Sequence, residues 1–295
     1  MAPGTFAVGM VHRDFSDPSR PTRAHGGAPE VSGRDLPTLV VYPAQGTAGG
    51  APKDGAAPAP GRWPLVVFSH GSTRSGADYL ATLAVWASAG YVVAAPDYPL
   101  SKTGVPGGTD YSDAPEQAHD VAFLVDWLSA LSKGGVDKVL GGRLVAGAIG
   151  IAGQSFGAIT SLLAGFHTCC MVPQVRAVVS FAGAGVPTAS DGSLAADAAG
   201  RPLLSIHGDT DPTLSYAGEH DGWAALQGDK FFLTLPGGGH DDGFFGGTAT
   251  PRDRVVSLSS LGFFDRYLKN DQGGLDRMRQ AVTNAGATVA KLEDR

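Results

Sequence analysis

From residue 63 onward the chain alternates between two patterns, and this alternation limits the folds open to it. Short runs rich in Val, Ile, Leu or small residues are each long enough for one buried strand. Stretches whose apolar residues recur at helical spacing follow them. "PLVVFSH" precedes "YLATLAVWASAG", which ends at Gly90, a residue suited to the left-handed turn after a helix. "YVVAAP" precedes "APEQAHDVAFLVDWLSALS". There Pro115 and Glu116 fall in a first turn, and Ala118, Val121, Val125, Leu128 and Leu131 share a face. "VAGAIGIAG" precedes "FGAITSLLAGF". "VRAVVSFAG", "PLLSIHG" and "KFFLTLPG" read as further strands, and "RVVSLSSLGFFDRYLKN" and the tail from Gly274 as closing helices. Apolar strands alternating with amphipathic helices predict a mostly parallel α/β sheet with helices on both faces. The expected organisation is one domain over residues 1–295, with a core at about 35–270 and a C-terminal helix in 271–295. The Pro, Gly and Ala-rich "TAGGAPKDGAAPAPGR" at 47–62 reads as a long hairpin connection between "TLVVYP" and "PLVVFSH".

The composition is that of a folded protein, 43% hydrophobic and 17% charged, with net charge -6. A mildly acidic chain without a basic block argues against nucleic acid as a partner. No apolar run has the length of a membrane span. "MAPGTFAVGM" lacks a basic segment followed by a long apolar one, so no signal peptide is expected. A soluble protein follows, either cytoplasmic or secreted after loss of a leader. The two cysteines, Cys169 and Cys170, are adjacent. A disulfide between neighbours needs a distorted peptide unit, so two thiols without chemistry are expected, and no metal site.

Ligands of parallel sheets bind outside the carboxyl ends of the strands. At one such end stands "GIAGQSFGAIT", which holds Ser155 in the spacing G-x-S-x-G. With 43 glycines in the chain the spacing arises easily by chance, so context must decide. "AIGIAG" is a strand, "FGAITSLLAG" a helix, and Ser155 lies at the join. A strand turning straight into a helix strains the central residue and exposes its hydroxyl, and Gly153 and Gly157 let the backbone pass closely. A serine hydroxyl needs a base. Of eight histidines, His240 lies in "PGGGHDDGFF" after the strand "KFFLTL", in the chain order such a site requires. His207 also ends a strand but is expected to pack near the sheet. The imidazole needs a carboxylate to fix its tautomer. "IHGDTDP" offers Asp209 and Asp211. Asp211 is favoured as the partner of His240, with Asp209 shaping the turn. The N–H of Phe156, first in the helix, and that of Ser72 in "HGSTRSG" are the expected oxyanion donors.

These motifs resemble the α/β-hydrolase family across nearly all of residues 35–270. "PLVVFSHGSTRSGADY", "WASAGYVVAAPDYP", "IAGQSFGAI", "IHGDTDP" and "GGGHDDGFF" look like its dienelactone-hydrolase-like and platelet-activating-factor-acetylhydrolase-like branch. The opening "VHRDFSDPSRPT" and "LPTLVVYPA" look like that branch's first strands. Dienelactone hydrolases carry Cys as nucleophile, so Ser155 points to ordinary carboxylic esters. Cutinases are similar in their core motifs, but Gln154 and "SFAGAGVP" depart from their pattern. The resemblance implies a serine esterase acting on a small-molecule ester without a cofactor. The loop 182–202 lies where this fold inserts its cap, and its shortness predicts a thin cover. Tyr98, Tyr111, Phe244 and Phe245 lie on carboxyl-end loops and are candidates for an acyl or aryl pocket. An amidase, peptidase or polyester hydrolase on the same residues remains open, as does a non-catalytic binding protein of the same fold.

Overall fold

The computed structural model describes residues 4–135 and 137–295. A ten-stranded sheet runs through the molecule. In chain order its strands are β1 (Ala7–Asp17), β2 (Arg34–Ala44), β3 (Lys53–Asp54), β4 (Trp63–Ser69), β5 (Val92–Pro96), β6 (Leu144–Gln154), β7 (Val175–Phe181), β8 (Leu203–Gly208), β9 (Lys230–Leu235) and β10 (Lys291–Asp294). Their spatial order is β10-β9-β8-β7-β6-β4-β5-β2-β1-β3. The six strands from β5 to β9 pair in parallel, while β1, β2 and β10 join antiparallel.

Side-chain alternation along the strands builds two cores. Leu65 and Val67 of β4 face one hydrophobic cluster, Val66 and Phe68 the other. Helices α2 (Ala114–Gly134), α3 (Phe156–Phe166) and α4 (Tyr216–Ala225) supply Val121, Leu162 and Trp223 to the first. Helices α1 (Leu80–Ser88), α5 (Pro251–Leu268) and α6 (Gly274–Ala285) supply Trp86, Phe264 and Met278 to the second. The architecture is the expected α/β sheet with helices on both faces. It also fixes the place of a site. After β4 the chain turns through α1 to β5 on one side, and after β6 it turns through α3 to β7 on the other. The crevice between the ends of β4 and β6 is therefore a topological switch point.

Three expectations need correction, and one helix is new. Residues 47–62 do not connect a hairpin, because β5 lies between β2 and β4; inside this stretch β3 pairs with β1. Local pattern could not show this, since the second partner of β2 is the distant β5. The C-terminal segment is not only helical: after α6, Lys291–Asp294 pairs with β9 and covers its open edge. Helix α4 went unread, because "YAGEHDGWAA" buries only Glu219 and Trp223 and has no apolar stripe. Finally, Cys169 and Cys170 are joined in a disulfide. The turn after α3, closed by N–H bonds from Cys170 and Met171 to the His167 carbonyl, brings their sulfurs together. Those sulfurs and a His167 nitrogen lie within 4.8 Å of one another, but a disulfide offers no thiolate to a metal. No described helix is long and apolar enough to cross a membrane.

The N-terminal segment is tied to α2 by a buried ion network. Arg34 is fully buried; its Nε and Nη2 bond both oxygens of Asp120, and its guanidinium also bonds Asp113. Arg20 joins the same Asp120 to Asp17 and Glu116. Removing one partner strands the rest in a low dielectric. Asp120→Asn should cost about 3 kcal/mol of stability, read as a lower urea midpoint; an unmoved midpoint would show the network to be idle.

Candidate active site

Ser155 occupies the join between β6 and α3 with φ 56 and ψ -119, a strained conformation for a residue with a side chain. The packing over-determines it. Its N–H donates to the Phe181 carbonyl of β7 at 2.9 Å. A Cβ on Gly153 would stand 2.1 Å from the Gly157 carbonyl oxygen, and one on Gly157 only 2.0 Å from that of Ser69. Both neighbours must therefore be glycine, and α3 is pressed against the end of β4.

The hydroxyl meets an imidazole. Ser155 Oγ lies 2.7 Å from His240 Nε2, and His240 Nδ1 lies 2.7 Å from Asp211 Oδ2. The three residues come from the ends of β6, β9 and β8. The Asp211 side chain has no exposed surface, and its other oxygen accepts the N–H groups of Thr213 and Leu214. Burial pushes this carboxyl upward, but the hydrogen bonds from His240 and those two amides outweigh it and hold its pKa below the ordinary value. Asp209 does not approach the imidazole. Its Oδ1 accepts the Gly237 N–H at 2.6 Å and so shapes the base of the His240 loop.

The two expected oxyanion donors flank Ser155. Among the described residues neither the Ser72 N–H nor the Phe156 N–H has a partner. The Ser72 hydroxyl is bonded to Thr109 Oγ1 at 2.5 Å and lies 3.3 Å from the Tyr111 hydroxyl. His70 holds this loop: its Nδ1–H donates to the Gly71 carbonyl and its Nε2 accepts the Tyr98 N–H. Complete burial disfavours its charged form and lowers its pKa, which suits that fixed tautomer. Tyr79 accepts the Gly71 N–H and donates to Gln154 Oε1, while Gln154 Nε2 donates to the His240 carbonyl. A buried Tyr79–Gln154 pair thus couples the Ser72 loop, the Ser155 turn and the His240 loop. Tyr79 did not stand out in the sequence, and Gln154 did so only as a departure from the cutinase pattern.

The cleft above Ser155 has a volume of about 310 Å³ and is lined by Ser72, Arg74, Tyr111, Gln154, Thr213 and His240, among others. Of the four expected pocket aromatics only Tyr111 lines it, 66% exposed and edge-on to Phe156. Tyr98 is fully buried, its hydroxyl bonded to Ser69, and Phe244 belongs to the core beneath α5. Phe245 stacks on Tyr79 and carries Arg74 over its ring. Position at a strand end placed these aromatics on the right side of the molecule, but their apolar mass went into the core. The loop 182–202 contributes nothing to the cleft's lining. It bridges to His167 through Leu194 and packs Val186 against Gly222 of α4 instead.

Residues 47–99 match the family model for platelet-activating factor acetylhydrolase, isoform II. That stretch contains β4, the Ser72 loop, α1 and β5. A ferulic acid esterase from Streptomyces cinnamoneus superposes with a TM-score of 0.71 at 22% identity, covering 92% of this chain and 93% of its own. No curated protein sequence matches the chain. The chain has the α/β-hydrolase fold, and its segment 47–99 is similar in sequence to the acetylhydrolase family.

Proposed function

We propose that the protein is a serine hydrolase of carboxylic esters. The observation that carries this reading is the unbroken chain of 2.7 Å contacts from Ser155 through His240 to Asp211, built from the ends of β6, β9 and β8. In the proposed mechanism Ser155 Oγ attacks the ester carbonyl while its proton passes to His240 Nε2. The tetrahedral oxyanion accepts the N–H groups of Ser72 and Phe156, an arrangement worth about 3 to 4 kcal/mol to such a transition state. His240 then protonates the leaving alkoxide, an acyl-enzyme forms, and water repeats the sequence to release the acid. Asp211 keeps Nδ1 protonated and balances the imidazolium. No step requires a cofactor.

The open, small cleft suits a short acyl group or an extended one that lies across the rim. Tyr111 offers an exposed aromatic face at that rim. The match to a ferulic acid esterase makes aromatic acyl esters worth including with acetyl and butyryl ones. A panel of p-nitrophenyl esters, with a feruloyl ester and a matched anilide, tests the reading. Ester turnover should exceed anilide turnover by orders of magnitude, and an organophosphonate should label Ser155. Faster anilide cleavage would make the protein an amidase. A folded sample that neither turns over nor labels would make it a binding protein.

A further inference from the structure

The hydrogen-bonded chain does not stop at Asp211. His207, the penultimate residue of β8, is fully buried, and its Nε2 lies 2.9 Å from Asp211 Oδ2, the oxygen that also accepts from His240. Its Nδ1 lies 2.6 Å from Glu219 Oε2 on α4, a carboxyl with no exposed surface. Glu219 is in turn held by Ser180 Oγ at 2.5 Å and the Gly183 N–H at 3.0 Å. The pocket around it is shaped for that contact: a Cβ on Gly183 would fall 2.3 Å from Ser180 Oγ.

Charge balance dictates the state of this ring. Among the described residues no lysine or arginine bonds Asp211 or Glu219. Two buried carboxylates without a counter-charge are costly. Both nitrogens of His207 face a carboxylate oxygen, and only a doubly protonated imidazole can donate on both sides. Glu219 also accepts from the Ser180 hydroxyl and the Gly183 N–H, so its oxygens serve as acceptors on every side.

We propose that His207 is a positioning residue, a permanently charged imidazolium clamped between Asp211 and Glu219 that anchors the acid of the site and sets the lower pH limit of its activity. Asp211 then divides its negative charge between two imidazoles, so placing a second positive charge on the His240 ring costs more. Burial opposes the charge on His207, but the bonds and charges of Glu219 and Asp211 outweigh it and raise its pKa. Around His207 the other polar neighbour is the Tyr216 ring of α4, whose hydroxyl bonds Thr234 of β9. Around His240 the groups are Ser155, Asp211, the Gln154 amide, Arg74, Asp241 and Tyr111, with Arg74 and Asp241 paired to each other.

The inference deepens the serine-hydrolase reading, and its first test needs no turnover. Nitrogen-15 NMR of the imidazole rings should show His207 doubly protonated from pH 6 to 9 in the full-length protein. In Glu219→Gln it should lose a proton within that range. The second test is the pH profile of kcat/KM on a p-nitrophenyl ester. His207→Gln should move the acid limb up by about one pH unit, and Glu219→Gln should move it the same way by less. A singly protonated His207 at pH 7 in the native protein overturns the proposal. So does an acid limb that stays in place while only the melting temperature falls. If His207→Gln does not fold, Glu219→Gln and the native NMR titration decide. Absence of ester turnover would sink the hydrolase reading but leave the NMR test intact.

Discussion

Ser155→Ala should lower ester turnover by about 10^5- to 10^6-fold while leaving the protein folded. The Ser155 hydroxyl makes one bond, to His240, so truncation removes the nucleophile and little else. Alanine keeps the Cβ and meets the same strain at φ 56, and the Phe181 carbonyl still receives the backbone N–H. Stability should therefore change by less than about 1 kcal/mol. Residual activity above water is expected from the Ser72 and Phe156 amides, which the substitution does not touch. Turnover and thermal unfolding of the same preparation check both halves. A variant retaining a tenth of the native rate would remove Ser155 from its role.

Asp211→Asn should cost about 10^4-fold in kcat, and here it carries a second penalty. The four donors that surround the carboxylate are His240 and His207 on Oδ2, and Thr213 and Leu214 on Oδ1. An asparagine amide places an NH2 against one of these pairs whichever way it turns. If it faces the imidazoles, the tautomer of His240 is reversed; if it faces the amides, the loop after β8 loosens. Stability should fall by about 1 to 3 kcal/mol as well. Asp209→Asn offers the contrast. It weakens one bond to the Gly237 amide, with a stability loss of about 0.5 to 2 kcal/mol and a much smaller change in rate. The reverse ranking of the two variants in kcat would exchange their assignments.

The parallel sheet was legible because each buried strand carries its own apolar run and each covering helix, apart from α4, its own stripe. That Ser155, His240 and Asp211 meet could be read in advance because strand ends converge on one side of such a sheet, which turns positions along the chain into positions in space. What local pattern could not supply was pairing at a distance. The place of β2 beside β5, and the capture of the C-terminal segment by β9, depend on edges that form only when the sheet does. The aromatic candidates failed for a related reason. Tyr98 and Phe244 sit on the expected loops, but a large ring near the surface is drawn inward whenever a cavity of the core can take it. Glu219 was hidden because α4 is nearly featureless as a helix, and a buried glutamate in a polar stretch looks like any solvated one.

The contact between Gly157 and the Ser69 carbonyl has a consequence for how the barrier is lowered. It locks the first turn of α3 to the strand that leads into the Ser72 loop, with no flexible side chain between them. On the far side of that loop Thr73 is also held at a positive φ of 58, its N–H bonded to the Ser101 carbonyl. The two proposed oxyanion donors are thus parts of one rigid frame. In water, dipoles must rotate to meet a developing negative charge, and that reorganisation is a large share of the activation free energy. In this frame the rotation was completed when the chain folded, and the strain at Ser155 and Thr73 is where its cost is stored.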